Sequence, residues 1–271
     1  MDELVVAVAP GDSDDDTRGL VESIDDPRVR IVDAAWDESR RHLAYADMTN
    51  AALEACTGDW CLYVQADEVL HEDDHEIVRQ RCAELLGDRR VEGMLFDYLH
   101  FFGDYRHVQR GQGWYAREIR VVRNGAGVRS VRDAQSFRRP PQRRITVAPA
   151  RAHIFHYGWV RHPRLMQAKV EAFWAHRVGA DGASAAPVGT AEFDYGPLGR
   201  LARWDGEHPR VMRDRIARMD WNDSLREADP PGPDARPRHR DERALYRALT
   251  WASRVSGIDF NHTNHGRVLD V

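Results

Sequence analysis

The chain has 271 residues, a hydrophobic content of 42% and a formal net charge of −5 at pH 7. This length suits one large domain or one domain with an appendage, and the acidic balance argues against a nucleic-acid-binding protein. No stretch approaches the roughly 20 apolar residues of a membrane span, and the acidic N-terminus does not match a signal peptide, so we expect a cytoplasmic protein.

The first part of the chain predicts strands that alternate with a helix. Residues 4–9 and 29–32 are apolar runs typical of strands. Between them, Ser13 and Asp16 form a capping box that predicts a helix ending near Ile24.

Residues 39–57 predict a longer helix, in which Leu43, Ala46, Asn50 and Leu53 recur at helical spacing. Asn50 therefore lies within an apolar stripe, and a buried amide must find hydrogen-bond partners. Two interpretations stay open: a structural amide that bonds to a neighbouring strand, or a contact to a bound nucleotide.

Residues 60–64 read as a fully buried strand of a parallel sheet, and two carboxylates, Asp67 and Glu68, follow it directly. Ligands of open α/β sheets bind at the carboxyl ends of the strands. Carboxylates placed there suit a hard cation or a sugar hydroxyl. The alternative is that Asp67 and Glu68 only cap the helix predicted over residues 72–86.

Three motifs in this region resemble the core of family 2 glycosyltransferases, which are nucleotide-sugar-dependent enzymes of the GT-A fold. The motifs are Thr49-Asn50-Ala51-Ala52-Leu53, Thr57-Gly58-Asp59-Trp60 and Gln65-Ala66-Asp67-Glu68. Asp67 matches the second, metal-facing acid of the family's Asp-x-Asp motif, which implies a Mg²⁺ or Mn²⁺ site. Gln65 stands where the first acid is expected, and an amide is a poorer ligand for these ions than a carboxylate.

The N-terminal region both supports the resemblance and departs from it. The turn that contains Asp12 and Asp14 is similar to a family turn near the nucleotide, and the resemblance places both aspartates in the nucleotide site. The family usually begins one strand and one helix earlier, and no residues here match them. Either the start codon has been placed too late, or part of the nucleotide site has been lost.

Two strands are predicted in the middle of the chain. Residues 93–103 form a long aromatic run, and residues 117–124 form an amphipathic one. Alternation along the second strand predicts Ile119 and Val121 on one face and Arg120 on the other.

The resemblance assigns further roles to this half. Asp133 matches an acid that follows such a strand in the family, and it is the expected base that deprotonates the acceptor hydroxyl. His156, in the strand predicted over residues 152–159, matches a late histidine that completes the metal site with Asp67. The alternative for His156 is a structural histidine.

Lys169 is the only lysine in the chain and falls inside an apolar arc of the helix predicted over residues 163–177. Its ammonium either snorkels to solvent or points into a polar cavity, where it would neutralise a departing diphosphate. Arg120 is a second candidate for that contact.

The sequence predicts an α/β fold: a GT-A-like mixed, mainly parallel sheet flanked by helices, with a C-terminal helical extension. Residues 1–222 form the catalytic domain, residues 223–240 a Pro/Arg-rich linker, and residues 241–271 an amphipathic helix and tail. The helix predicted over residues 243–255 has three open roles: packing on the domain, forming a homodimer, or touching the inner face of a membrane.

The expected function is transfer of a sugar, with inversion, from a nucleotide-diphosphate sugar to a glycan, lipid-linked or other hydroxyl acceptor. Asp12, Asp14, Asn50 and Gln65 would hold the nucleotide. A nucleotide-sugar-binding protein without transfer activity is the first alternative. A nucleotidyltransferase ranks third, because the first strand is not followed by a Gly-rich phosphate loop.

Overall fold

The computed structural model describes residues 1–9, 16–178, 191–229, 238–256 and 267–271. The strands are β1 (Leu4–Val8), β2 (Val29–Asp33), β3 (Trp60–Leu62), β4 (Glu68–Leu70), β5 (Gly93–Phe102), β6 (His107–Gln109), β7 (Arg117–Arg123), β8 (Arg129–Val131), β9 (Ser136–Arg139), β10 (Arg143–Arg144), β11 (Val147–Trp159) and β12 (Ala202–Arg203). The helices are α1 (Thr17–Glu22), α2 (Ala44–Ala55), α3 (Glu72–Leu85), α4 (Pro163–Val178), α5 (Arg213–Ala217) and α6 (Ala244–Ser256).

The largest sheet is built around β5 and β11, which run parallel to each other. The other edge of β5 is shared, since its first half pairs with β7 and its second half with β6. β4 pairs with β11, β3 with β7 and β12 with β6. His100 and His156 therefore lie in adjacent strands of one sheet, and Asp67 immediately precedes β4, the next strand of that sheet.

The α/β class is confirmed, but the prediction of a mainly parallel sheet is wrong for the described strands. Among them, the β1–β2 and β5–β11 pairs are parallel and the other pairs are antiparallel. β3 is antiparallel to β7, and its Leu62 is 43% exposed, so it is not a fully buried parallel strand. A short apolar run indicates a strand without specifying its partner or direction.

A β-bulge in β7 overturns the face assignment made for this strand. Met94 of β5 pairs with Val121, and the next residue, Leu95, pairs with Ile119, so Arg120 is the extra residue. Val121 then packs in the same cluster as Met94, whereas Ile119 packs with Leu95 in another cluster. Simple alternation cannot anticipate a bulge, which re-aims the side chain at the inserted position.

The core lies on both faces of this sheet. α3 covers one face, where Val78 and Leu85 pack with apolar side chains of β5 and β11. α2 and the β8–β9 hairpin cover the other, where Leu53 and Phe137 pack against β7.

The predicted helices are present with shifted boundaries. The one predicted over residues 39–57 divides into a 3₁₀ segment, Glu38–Leu43, and α2. α3 is capped by His71, whose Nδ1 accepts a hydrogen bond from the Asp73 N–H at 3.2 Å. The alternative that Asp67 and Glu68 only cap this helix is therefore wrong. None of the helices within the described ranges is both long and apolar enough to cross a bilayer.

The segments assigned to the linker and the tail touch the domain where they are described. The Leu198 N–H donates to the Arg226 carbonyl at 2.8 Å, while residues 230–237 lie outside the described ranges. At the C-terminus, the Leu269 N–H donates to the Val147 carbonyl at 2.8 Å, next to the start of β11. Arg81 of α3 donates to the carbonyl of Val271 at 2.9 Å.

Glu118 of β7 is 3% exposed, and its Oε2 has no hydrogen-bond partner among the described residues. Burial raises the pKa of this carboxyl from 4.5 to about 7, although Arg120 and Arg138 act in the opposite direction. Between these two values the folded chain holds a proton that the unfolded chain has lost. The free energy of unfolding must therefore fall as the pH rises through this window.

We predict that Glu118→Gln makes the chain more stable than wild type at pH 8, by up to roughly 3 kcal/mol, and removes this pH dependence. Urea unfolding at pH 5 and pH 8 measures both effects. Glu22→Gln is the matched control, because the Glu22 side chain is exposed. A Glu118→Gln protein with the same pH dependence as wild type would contradict the assignment.

Candidate functional site

A buried ion pair fixes the turn that carries Asp67. The bulged Arg120 donates from Nη2 to Glu68 Oε1 at 2.7 Å and from Nε to Oε2 at 3.0 Å. The Tyr98 hydroxyl donates to Oε1 at 2.8 Å, and the Gln65 N–H donates to Oε2 at 3.2 Å. The exposed fractions of the Arg120 and Glu68 side chains are 1% and 0%. A carboxylate with four donors has no lone pair left for a ligand, so Glu68 is a structural residue.

The guanidinium of Arg120 is also fully engaged. Its Nη1 donates to the Ile119 carbonyl at 3.0 Å, and its Cζ lies 5.1 Å from the ring centroids of both Tyr63 and Tyr98. The sequence assigns Arg120 to the diphosphate, whereas the structure places it inside the domain, where it neutralises Glu68. The bulge in β7 is the physical reason for this placement.

Asp67 lies in the turn before β4 and is the acid that faces a polar site. Its Oδ2 accepts a hydrogen bond from Lys169 Nζ at 3.0 Å, and the same ammonium donates to the Gly158 carbonyl at 2.8 Å. The Lys169 ammonium therefore lies at Asp67. Burial acts to raise the pKa of Asp67, but His156 and Lys169 outweigh it, so this pKa lies below its usual value.

His100 and His156 determine whether the ring nitrogen that faces Asp67 carries a hydrogen. His100 Nε2 lies 2.8 Å from the Tyr115 carbonyl, which only accepts, so this nitrogen carries a hydrogen. Burial and the neighbouring His156 lower the pKa of His100 to about 3, so the ring is neutral and its Nδ1 is an acceptor. His156 Nδ1, 3.0 Å away, must then be the donor.

His156 Nε2 is consequently left with a lone pair when the ring is neutral, and burial lowers the pKa of His156. This nitrogen lies 3.8 Å from Asp67 Oδ2. Neutral His156 and ionised Asp67 thus present two electron-pair donors side by side, and the Lys169 ammonium at 3.0 Å from Oδ2 is the positive charge beside them.

Asp67 Oδ2 and His156 Nε2 both approach the backbone of Gly158. A Cβ on this residue would lie 2.4 Å from Asp67 Oδ2 and 2.6 Å from His156 Nε2, closer than real Cβ contacts. Any side chain at position 158 would displace one or both of these atoms. The arrangement of the two donor atoms therefore requires glycine at position 158.

The donor atoms fit a divalent cation only in part. No group of three or more metal-ligating side chains occurs among the described residues. Asp67 and His156 supply two donors, and Mg²⁺ commonly takes its remaining ligands from substrate phosphates and water. Any cation here would have to share its coordination with a phosphate, and Lys169 would compete with it for Asp67 Oδ2.

Two of the residues assigned to the nucleotide make structural contacts. Asn50 Oδ1 accepts from the Ser130 N–H at 2.8 Å and its Nδ2 donates to the Ser130 carbonyl at 3.1 Å, which ties α2 to β8. The Gln65 amide donates to the Tyr63 hydroxyl at 3.0 Å.

Of the other assigned acids, the structure describes only Asp133. Asp133 is exposed in the turn between β8 and β9, and its charge acts on Tyr45 at the start of α2. Asp12 and Asp14 lie outside the described residues.

The residue pattern offers His100 only as a possible pocket residue and gives Gly158 no role of its own. His100 is the register partner of His156 in the β5–β11 pair, so the two rings meet only because these strands pair. A histidine in each of two long aromatic strands is the one sequence signal that could have indicated the contact. Nothing in the sequence marks position 158 as a place where two polar side chains approach the backbone.

No protein-family model matches this chain, and a comparison with curated proteins found no match.

We predict that Arg120→Met destabilises the chain by about 3–5 kcal/mol, because it leaves the Glu68 charge buried without a partner. The double variant Glu68→Gln/Arg120→Met should recover part of this loss. Urea unfolding of both variants measures the difference. The control is Arg79→Met, which breaks the exposed Arg79–Glu76 pair and should cost less than about 1 kcal/mol. Equal losses for Arg120→Met and Arg79→Met would contradict the role given to the buried pair.

Proposed function

We propose that this chain is a glycosyltransferase that moves a sugar from a nucleoside-diphosphate sugar to a hydroxyl acceptor. The observation that carries the proposal is the convergence of Asp67 Oδ2, His156 Nε2 and the Lys169 ammonium beside the backbone of Gly158. Such a set of groups suits a diphosphate and its counter-cation. The similarity of the motifs at residues 49–53, 57–60 and 65–68 to family 2 glycosyltransferases supports it.

In this proposal Asp67 and His156 hold Mg²⁺ or Mn²⁺ together with the donor diphosphate. The cation would neutralise the charge that develops on the departing diphosphate. The ionised Asp67, with its lowered pKa, and the Nε2 lone pair of His156 are the protein groups suited to this task.

Lys169 has two tasks in the same proposal. Without ligands it is the counter-charge of Asp67, at 3.0 Å. With a cation held at Asp67, the Lys169 ammonium would be available to the diphosphate, where a preorganised positive charge would stabilise the leaving group.

Asp133 is the proposed base that deprotonates the acceptor hydroxyl, and direct attack opposite the leaving group would invert the anomeric centre. Its exposed position in the β8–β9 turn suits an acceptor that arrives from solvent, such as a glycan or the head of a lipid-linked sugar. A positioned carboxylate is worth about 10²–10⁴-fold in rate.

A second candidate function is nucleotide-sugar binding without transfer. It is favoured by Gln65, whose amide is occupied by Tyr63 and which supplies no carboxylate to the site. The two functions differ in turnover: a transferase releases the nucleoside diphosphate when an acceptor is present, and a binding protein does not.

We predict that Asp67→Asn and Gly158→Ala each weaken Mn²⁺ binding in the presence of a nucleoside diphosphate by more than about tenfold. The first removes the charged ligand, and the second places a methyl group between the two donor atoms. Titration calorimetry with UDP and with GDP, each with and without Mn²⁺, measures the effect.

Gly87→Ala is the matched control for Gly158→Ala, since a Cβ at position 87 would contact nothing within 4 Å. Thermal melting shows whether each variant is folded. If wild type binds the diphosphates equally with and without Mn²⁺, the proposed metal site does not exist. If it binds them and releases no product with any acceptor, the binding protein is the better description.

We predict opposite effects of one lysine substitution on two ligands. Lys169→Met should strengthen the binding of Mn²⁺ alone, because Asp67 loses its competing counter-charge, and weaken the binding of a nucleoside diphosphate. Lys169→Arg should also weaken diphosphate binding, by on the order of 1 kcal/mol, because a guanidinium differs from an ammonium in shape and hydration. Arg164→Lys, an exposed change on the same helix, is the control. Unchanged affinities in both Lys169 variants would remove Lys169 from the site.

A further inference from the structure

α6 packs on the domain through one face. The Thr250 Oγ1 accepts a hydrogen bond from the Gln112 N–H at 2.8 Å, and the Tyr246 ring packs against Gly113. The Cζ atom of Arg240 lies over the face of the Tyr246 ring, 4.7 Å from its centroid. These contacts fix which side of the helix points away from the domain.

The outward side of α6 is apolar, the reverse of the usual pattern for a helix on a protein surface. Leu245, Trp251 and Val255 are 65%, 68% and 69% exposed, and Ala244 and Ala248 are exposed beside them. Residues 244, 248, 251 and 255 follow helical spacing, so they form one continuous stripe. Contiguous exposed apolar surface of this kind marks an interaction site.

The charges beside this stripe are positive, although the whole chain is acidic. Residues 243–256 contain three arginines and no acid, and Arg243 and Arg247 are exposed. A cleft of about 550 Å³ runs along the same flank and is lined by Arg110, Arg238, Arg247 and Trp251 among others.

The acids that line this cleft already have partners within the protein. Asp241 Oδ2 accepts from Arg200 Nη1 at 2.9 Å, Glu242 accepts from the His239 N–H at 2.8 Å, and Asp229 pairs with Arg226 at 3.2 Å. They therefore offset little of the positive charge that the exposed arginines present outward.

We propose that α6 docks on the surface of an anionic lipid bilayer, with Leu245, Trp251 and Val255 in the interface and the flanking arginines at the lipid phosphates. Charge complementarity between this arginine fringe and an anionic surface selects the occupant. The helix has 13 residues, or about 20 Å, so it lies in the interface and does not span a core of about 30 Å. The inference does not depend on the proposed transferase activity.

Co-sedimentation of the full chain with vesicles tests the apolar part of the proposal. We expect binding to phosphatidylcholine vesicles that contain about 30% phosphatidylglycerol, and much weaker binding to vesicles of phosphatidylcholine alone. Trp251→Ser/Val255→Ser should weaken binding by more than about tenfold, given the apolar area withdrawn from the interface. The matched control is Leu165→Ser/Val211→Ser, which changes two equally exposed apolar residues outside α6.

A second set of variants in the same assay tests the electrostatic part of the proposal. Arg243→Gln/Arg247→Gln should weaken binding by about fivefold for each arginine, and added salt should do the same. Arg79→Gln/Arg90→Gln, at two exposed arginines elsewhere, should have no effect. Light scattering of the protein without vesicles reports whether a second copy covers the stripe instead.

Three outcomes overturn the proposal. One is wild-type protein that does not sediment with anionic vesicles. Another is binding that is equal on neutral and anionic vesicles or that survives Trp251→Ser/Val255→Ser. The third is a dimer in solution that this double variant converts to monomers, which would show that a second copy is the occupant.

Discussion

Glu68 and Arg120 carry full charges into a region from which water is excluded, and removing each ion from water costs several kcal/mol. The cost is offset because every polar atom of the pair has a partner, supplied by Tyr98, Gln65 and the backbone of β7. The pair also joins residues that are 52 positions apart, so it fastens the turn before β4 to the middle of the sheet. Because Glu68 follows Asp67 in the chain, the Glu68–Arg120 ion pair also holds Asp67 in place.

Hydrogen-bond partners also determine which ring nitrogens of the two histidines carry a hydrogen. The Tyr115 carbonyl can only accept, and this single fact fixes the hydrogen on His100, then the hydrogen on His156, and finally the lone pair that faces Asp67. A backbone oxygen in the loop before β7 thus decides which atom of a site two side chains away carries a hydrogen. Because His100 has a pKa of about 3, this arrangement persists throughout the neutral pH range.

Much of the local structure follows from the sequence, because apolar runs and helix signals act over short distances. The strands β1, β5, β7 and β11 and the helices α3, α4 and α6 lie close to where their patterns predict them. The direction of β3 cannot be predicted from the sequence, because an apolar run does not specify which strand it pairs with.

The site follows from the sequence less completely, because its geometry depends on contacts between distant residues. Asp67, His156 and Lys169 are predicted by type and are brought together by the structure. Arg120 is predicted as a ligand contact and makes internal contacts instead, because of a bulge that leaves no trace in the local pattern. For Asn50 the sequence leaves two interpretations open, and the hydrogen bonds to β8 match the structural one.

The register of β5 and β11 has a consequence for how the site is assembled during folding. His100 and His156 face each other only when these parallel strands pair as observed, and a slip by one residue would direct His156 to the opposite face. Parallel pairing across more than 50 residues closes a long loop, and such contacts form late in folding. A chain that has collapsed without completing this pairing therefore does not bring the His100–His156 pair to Asp67. Any ligand that binds only the completed arrangement would favour the correct register over its neighbours by mass action.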